Sequence, residues 1–124
     1  MQDRTLFVID DENGVRVLLK EVFGRSGFNV HVFEDPIEAH HALTEIHPDV
    51  VLIDYRIPKM RGDQFAEIVQ QEGHYFPIIL MTGDSKSVVE RQITTKAITE
   101  IIEKPFNITD VVQTVNHTLL NPTK

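Results

Sequence analysis

The chain has 124 residues, 41% of them hydrophobic and 25% charged, enough for one domain that buries its own core without covalent staples. It contains no cysteine, which excludes a disulfide framework and any thiolate metal site and fits a reducing cytoplasm; no apolar run nears the ~20 residues that a membrane span requires. Acidic residues number 19 and basic ones 12, for a formal net charge of −7, and the positives are scattered or sit in short mixed clusters such as Arg56, Lys59 and Arg61, so no face reads as a direct nucleic-acid binder.

The start, MQDRT, lacks the basic stretch and apolar core of a signal peptide. RTLFVID then reads as a first strand. NGVRVLLKEVFGRSG places Val15, Leu18, Leu19, Val22 and Phe23 at helical spacing, with Gly27 as the stop. FNVHVF is β-branched and aromatic, a second strand. DPIEAHHALTEI opens on Asp35 as cap, with Pro36 in the first turn and Glu38 three residues after the cap, a capping-box arrangement. VVLID is a continuous apolar run, and GDQFAEIVQQEG a helix that Gly73 stops. PIILMT is a fourth strand, KSVVERQIT a weaker helix and TEIIEK a fifth strand. NITDVVQTVNHTLL carries Ile108, Val111, Val112, Val115 and Leu119 on one stripe. No repeat, low-complexity tract or Ser/Gly linker interrupts the series.

Five strands alternate with five helices. The central runs lack a period of two, so both of their faces are covered, which is the mark of a parallel sheet between helix layers. The expected fold is α/β: a doubly wound five-stranded parallel sheet of order 2-1-3-4-5, flavodoxin-like, as one domain over residues 1–124. Its crevice lies at the carboxyl ends of strands 1 and 3.

The residues that end the runs collect at that edge. Strand 1 ends on Asp10 and Asp11 with Glu12 next, strand 3 on Asp54, strand 4 on Thr82 before Gly83, and strand 5 on Lys104 before Pro105; strand 2 adds only Glu34 and Asp35 beside a cap. Crowded carboxylates repel, and a hard divalent cation such as magnesium, or manganese, removes the conflict. Only oxygen ligands are offered, which argues against zinc or copper. Asp54 stands directly after four apolar residues and needs a partner. A carboxylate there can attack phosphorus, with Lys104 and a metal neutralising the transferred group and Thr82 donating to one of its oxygens.

In this order and spacing, VIDDE, LIDYRIPKMRG, MTGD and EKPF resemble the motifs of receiver domains of bacterial two-component response regulators, over nearly the whole chain. LIDYRIPKMRG is similar to the acceptor stretch D-x-x-M-P-x-M-x-G, with Ile57 in place of the first Met. The resemblance implies a phosphorylation-activated switch, in which Asp54 accepts a phosphoryl group from a histidine kinase or phosphotransfer protein. It implies that Asp11, Asp54 and the backbone carbonyl of Arg56 hold the metal, with Asp10 acting through water. Thr82 would move toward the phosphate, Lys104 would pair with it, and the peptide before Pro105 would be cis. The implied partners are the kinase or phosphotransfer protein, an effector or attached output domain, and a second copy in a phosphorylation-dependent homodimer, with no direct nucleic acid or membrane binding. The chain would be cytoplasmic, either a stand-alone regulator or part of a longer transcription regulator or hybrid kinase.

Two positions depart from the family. Where it has an aromatic residue three before the lysine, this chain has Ile101, stiff at its first side-chain torsion and without a hydroxyl. The surface of helix 4, strand 5 and helix 5 is therefore expected to change less on phosphorylation. Arg56 lies two past the acceptor and Asp84 two past Thr82, and a bridge between them would hinder the hydrolytic water. Three other functions compete. In haloacid-dehalogenase-like phosphatases a second acid lies two residues after the nucleophile, where this chain has Arg56. A flavin module needs a Ser/Thr/Gly-rich phosphate loop, where DDENG is acidic. A phosphorylation-independent interaction domain would not need the full acidic set. Taken singly, Asp10 and Asp11 read as helix caps, Thr82 as a strand end and Lys104 as a solvated charge. His40 and His41 have no metal-ligand company, and Met60 and Met81 read as packing.

Overall fold

The computed structural model describes residues 4–104 and 106–120. The expected peptide geometry before Pro105 falls outside the described residues. The elements follow in strict alternation: β1 (Thr5–Ile9), α1 (Asn13–Arg25), β2 (Asn29–Phe33), α2 (Pro36–Ala42), β3 (Val50–Asp54), α3 (Gly62–Gln71), β4 (Ile78–Thr82), α4 (Lys86–Gln92), β5 (Glu100–Glu103) and α5 (Ile108–Leu120). The sheet runs β2-β1-β3-β4-β5, and each neighbouring pair is parallel, the order and class expected from the sequence.

Alternation within each strand divides the core in two. Leu6, Val8, Val50, Leu52, Ile79 and Met81 point to one face, where Leu19 and Phe23 of α1 and Val111 and Val115 of α5 cover them. Phe7, Ile9, Val51, Ile53, Ile78 and Leu80 point to the other, against Ala39 of α2, Phe65, Ala66 and Val69 of α3 and Val89 of α4. Both parities are therefore apolar, which is why the runs read as continuous and not alternating.

The helix ends follow local chemistry. Gly27 and Gly73 both take φ +96 just past α1 and α3, the left-handed position that favours glycine. Asp35 accepts from the Glu38 amide at 3.0 Å, one half of the expected capping box. That bond and the Lys59 ammonium, 3.1 Å from the second Asp35 oxygen, hold this carboxyl below its usual range. Two expectations need correction. DPIEAHHALTEI forms a helix only to Ala42, after which Glu45 and Ile46 both donate to the Ala42 carbonyl in a turn. Leu18 is 43% exposed: the α1 stripe that reaches the core runs through Val15, Leu19 and Phe23, and Leu18 falls outside it with Val17.

Candidate functional site

Register and pleat position the polar residues at the carboxyl edge of the sheet. Ile9 pairs with Ile53, so the following residues, Asp10 just past β1 and Asp54 at the end of β3, lie side by side. Asp54 shares the parity of Val50 and Leu52, and Asp10 that of Leu6 and Val8, so both carboxylates fall on the α1/α5 face. Lys104, two past Ile102 of the same cluster, falls there as well. Thr82 has the opposite parity, that of Ile78 and Leu80, and ends β4 on the α3/α4 side.

Lys104 is the hub. Its Nζ lies 2.8 Å from Asp10 Oδ2, 3.0 Å from Asp54 Oδ1 and 3.3 Å from Glu12 Oε1. Asp10 is fully buried and Asp54 is 8% exposed, whereas Asp11 faces solvent. One oxygen from each of Asp10, Asp11 and Asp54 can be chosen so that all lie within 4.8 Å of one another, a hard-oxygen cluster that fits a divalent cation. Among the described residues no other group of acids, histidines or cysteines meets that condition.

The two halves of the ion pair respond differently. Burial pushes the Asp54 carboxyl up to about 6; Lys104 opposes the shift, and the neighbouring charges of Asp10 and Asp11 add to it. Burial also works against the Lys104 charge, but its hydrogen bonds to Asp10 and Asp54 outweigh that and raise its pKa above the usual lysine value. The ammonium faces two buried carboxylates, while Asp54 faces one cation and two like charges.

The loop after β3 is tied down closely. The Tyr55 amide donates to Met81 O at 2.8 Å, and Gly62 N returns to Tyr55 O at 2.9 Å. A Cβ on Gly62 would lie 2.8 Å from Asp54 O and 2.7 Å from Leu80 Cδ2, so space and not φ requires glycine there. Thr82 Oγ1 accepts from the Asp84 amide at 2.9 Å, and Asp84 Oδ2 accepts from Arg56 Nε at 2.7 Å. The arginine–aspartate bridge across the mouth is thus formed. Asp10 and Asp11 do not cap α1: the N-cap is Glu12, with no side-chain bond, and Asp10 Oδ1 instead accepts from the Glu12 amide at 2.9 Å.

Residues 6–116 match the family model described as the response regulator receiver domain. The chain belongs to that family. It is 28% identical to sporulation initiation phosphotransferase F of Bacillus subtilis, over 90% of each chain. It is 30% identical over 86% of its length to the regulatory protein AtoC of Escherichia coli, of which it spans 23%. Among solved structures, the Francisella response regulator 1452 receiver domain superposes with TM-score 0.84 at 26% identity, covering 98% of this chain and all of that one. The response regulator TrrA of Thermotoga maritima, solved with Mg(2+)-BeF, gives 0.79 at 27% identity, covering 92% of this chain and 97% of that one. The chain spans about a quarter of the length of the AtoC and NtrC regulators it matches. As a receiver domain it is a regulatory phospho-acceptor and a phosphorylation-activated signalling switch.

Three side chains near the site carry contacts that the sequence reading did not single out. Arg16 Nη1 donates to the Asp10 carbonyl at 2.8 Å. Tyr55 OH donates to Gln92 Oε1 at 3.0 Å, reaching the last residue of α4 from the position next to Asp54. Lys59 takes φ 78 while its ammonium meets Asp35. For Arg16 a signal was available: a helical side chain leans back toward the N-terminus, and Arg16 stands one turn after Glu12. Ile101 lies on the α4 side of β5, beside a groove of about 210 Å³ that Ile93 and Ile98 also line. Of the histidines, His40 Nε2 lies 2.7 Å from Glu72 Oε1, and His47 and His74 stack edge-on or tilted with Phe76, contacts of packing between helix ends.

Proposed function

We propose that Asp54 is the residue phosphorylated, by a histidine kinase or phosphotransfer protein, in a magnesium-dependent reaction. The observation that supports this is the position of Asp54: buried at the strand edge, 3.0 Å from the Lys104 ammonium and clustered with Asp10 and Asp11. In the reaction an Asp54 carboxylate oxygen bonds to phosphorus as the donor's phosphorus–nitrogen bond breaks and the imidazole leaves. Asp11, Asp54 and the Arg56 carbonyl would hold the cation, with Asp10 acting through water, and the cation would neutralise the oxygens of the transferring group. Lys104 supplies a fixed positive charge beside the same oxygens, and the Thr82 hydroxyl supplies a donor once it leaves the Asp84 amide. The test is mass spectrometry after incubation with acetyl phosphate and magnesium. The wild type is expected to gain one phosphoryl increment and Asp54→Asn none; an equal gain in the variant refutes the assignment.

Two residues tune the response. The Arg56–Asp84 bridge covers the approach of hydrolytic water, so Arg56→Ala is expected to shorten the phosphoryl lifetime severalfold; an unchanged lifetime removes that role. Ile101 has no ring to fill the groove beside α4. Amide shifts on adding beryllofluoride and magnesium are therefore expected to be smaller along α4, β5 and α5 than around Asp54; equal shifts contradict this. Arg56 also disfavours the phosphatase reading: its guanidinium, and no carboxylic acid, stands two residues past Asp54, already engaged with Asp84. The partners would be the kinase or phosphotransfer protein and an effector or attached output domain in the cytoplasm, as expected of either a stand-alone regulator or one piece of a longer one. No helix among the described residues is long and apolar enough to cross a membrane.

A further inference from the structure

We propose that Arg16 is a positioning residue that fastens the Asp10–Asp11 loop in the geometry a divalent cation requires. The proposal rests on the reading of the acidic cluster as a metal site. The Asp10 amide still takes part in the sheet ladder, donating to Phe33 O at 3.1 Å, but the chain then turns away from β2. The Asp10 carbonyl is the first acceptor past that last rung, and Arg16 Nη1 donates to it at 2.8 Å. The other arm of the same guanidinium, Nη2, reaches Asn13 Oδ1 at 3.3 Å. Arg16 N meanwhile donates to Glu12 O at 3.2 Å. One planar side chain on the first turns of α1 therefore grips both ends of the segment that carries Asp11. It is half-buried over that segment, and among the described residues no other side chain holds the Asp10 carbonyl.

Asp11 itself is exposed. A carboxylate on an untethered loop must be ordered each time a cation binds, and that ordering weakens affinity. A guanidinium that fixes the preceding peptide removes part of the cost, as outer-sphere partners of metal ligands do. The alternative role for Arg16 is purely electrostatic, and it has the opposite sign. A positive charge held at the Asp10 carbonyl repels a cation bound at the cluster, so its removal by itself would tighten binding.

That difference of sign makes the test. Magnesium titrations by calorimetry on wild type, Arg16→Ala and Arg16→Lys are expected to give roughly tenfold weaker binding for the Ala variant. Partial recovery is expected for Lys, which keeps the stem and one donor. Unchanged or tighter binding in Arg16→Ala, or a Lys variant as weak as Ala, overturns the proposal. A metal-free arm keeps it testable even if the wild type binds no magnesium, an outcome that would refute the metal-site reading instead. Amide hydrogen exchange of Glu12, whose N–H donates to Asp10 Oδ1, is expected to quicken about tenfold in Arg16→Ala while the amides of β1 and β3 stay as slow as in the wild type. If exchange quickens equally in the strands, the side chain is a general stabiliser and the positioning role is lost.

Discussion

Asp54→Asn is expected to make the metal-free protein more stable at pH 8 by about 3 kcal/mol, and no more stable at pH 3. The Asp54 carboxyl is held at about 6 in the fold, against an ordinary value of 3.8. Between those values the folded chain keeps a proton that the unfolded chain has released, so stability falls as pH rises through that window. The contribution is fully present below the ordinary value and gone above about 6. A shift of about two pH units corresponds to roughly 3 kcal/mol, and little discounting for solvent applies because the group is 8% exposed. Asparagine keeps the shape without the charge, and Lys104 retains Asp10 at 2.8 Å. Urea unfolding of both proteins from pH 3 to 8 checks this. A gap that stays constant with pH, or a variant less stable at pH 8, contradicts the origin assigned to the shift. Adding magnesium should close the gap from the other side, because a cation that binds only the folded wild type stabilises it by mass action. The acceptor is thus costly when empty, chiefly because its charge is buried, and the Asp10 and Asp11 charges that add to the cost are the ones that would collect the cation.

This dual character explains how far the sequence could be read. Asp54 was conspicuous because four apolar residues precede it, and Lys104 and Thr82 because each ends a strand that a parallel sheet of this order brings to one edge. Those inferences need only periodicity and topology, which are short-range and robust. What escaped depends on where long side chains fold back. Arg16 reaches a backbone carbonyl six residues earlier, and the contact leaves no mark in hydropathy. Tyr55 reads simply as the residue after the acid, yet its hydroxyl crosses 37 positions to Gln92 because the pleat turns it away from Asp54 toward α4. Leu18 looked like core because it sits at a helical spacing from Val15, but α1 meets the sheet over a narrower stripe. In the sequence Gly62 is simply the first residue of the GDQFAEIVQQEG helix. Nothing in a one-dimensional pattern tells a glycine chosen for φ from one chosen for the space of a missing methyl.

Gly62→Ala decides that last point, and two effects of opposite sign compete in it. Gly62 opens α3, where alanine is ordinarily the better helix former by up to ~1 kcal/mol. Its Cβ, however, would arrive 2.7 Å from Leu80 Cδ2 and 2.8 Å from the Asp54 carbonyl oxygen. Leu80 Cδ2 is the end of a side chain and can yield by rotation, although its surroundings are fully buried. The Asp54 oxygen belongs to the last residue of β3, which pairs with Met81 in the sheet, and it can move only if the strand end moves. Overpacking of this kind typically costs about 1–3 kcal/mol, which exceeds the helix-propensity gain. Gly62→Ala is therefore expected to destabilise the fold by about 2 kcal/mol in chemical denaturation. Gly24→Ala serves as the control: it lies inside α1 with nothing within 4 Å of the added carbon, and should be neutral or stabilising by up to ~1 kcal/mol. Because the displaced atom is the acceptor's own carbonyl, the Gly62 variant should also take up phosphate from acetyl phosphate more slowly at temperatures where it remains folded. A Gly62→Ala protein as stable as Gly24→Ala would mean that the strand end yields freely, and the rigid seating of Asp54 would have to be abandoned.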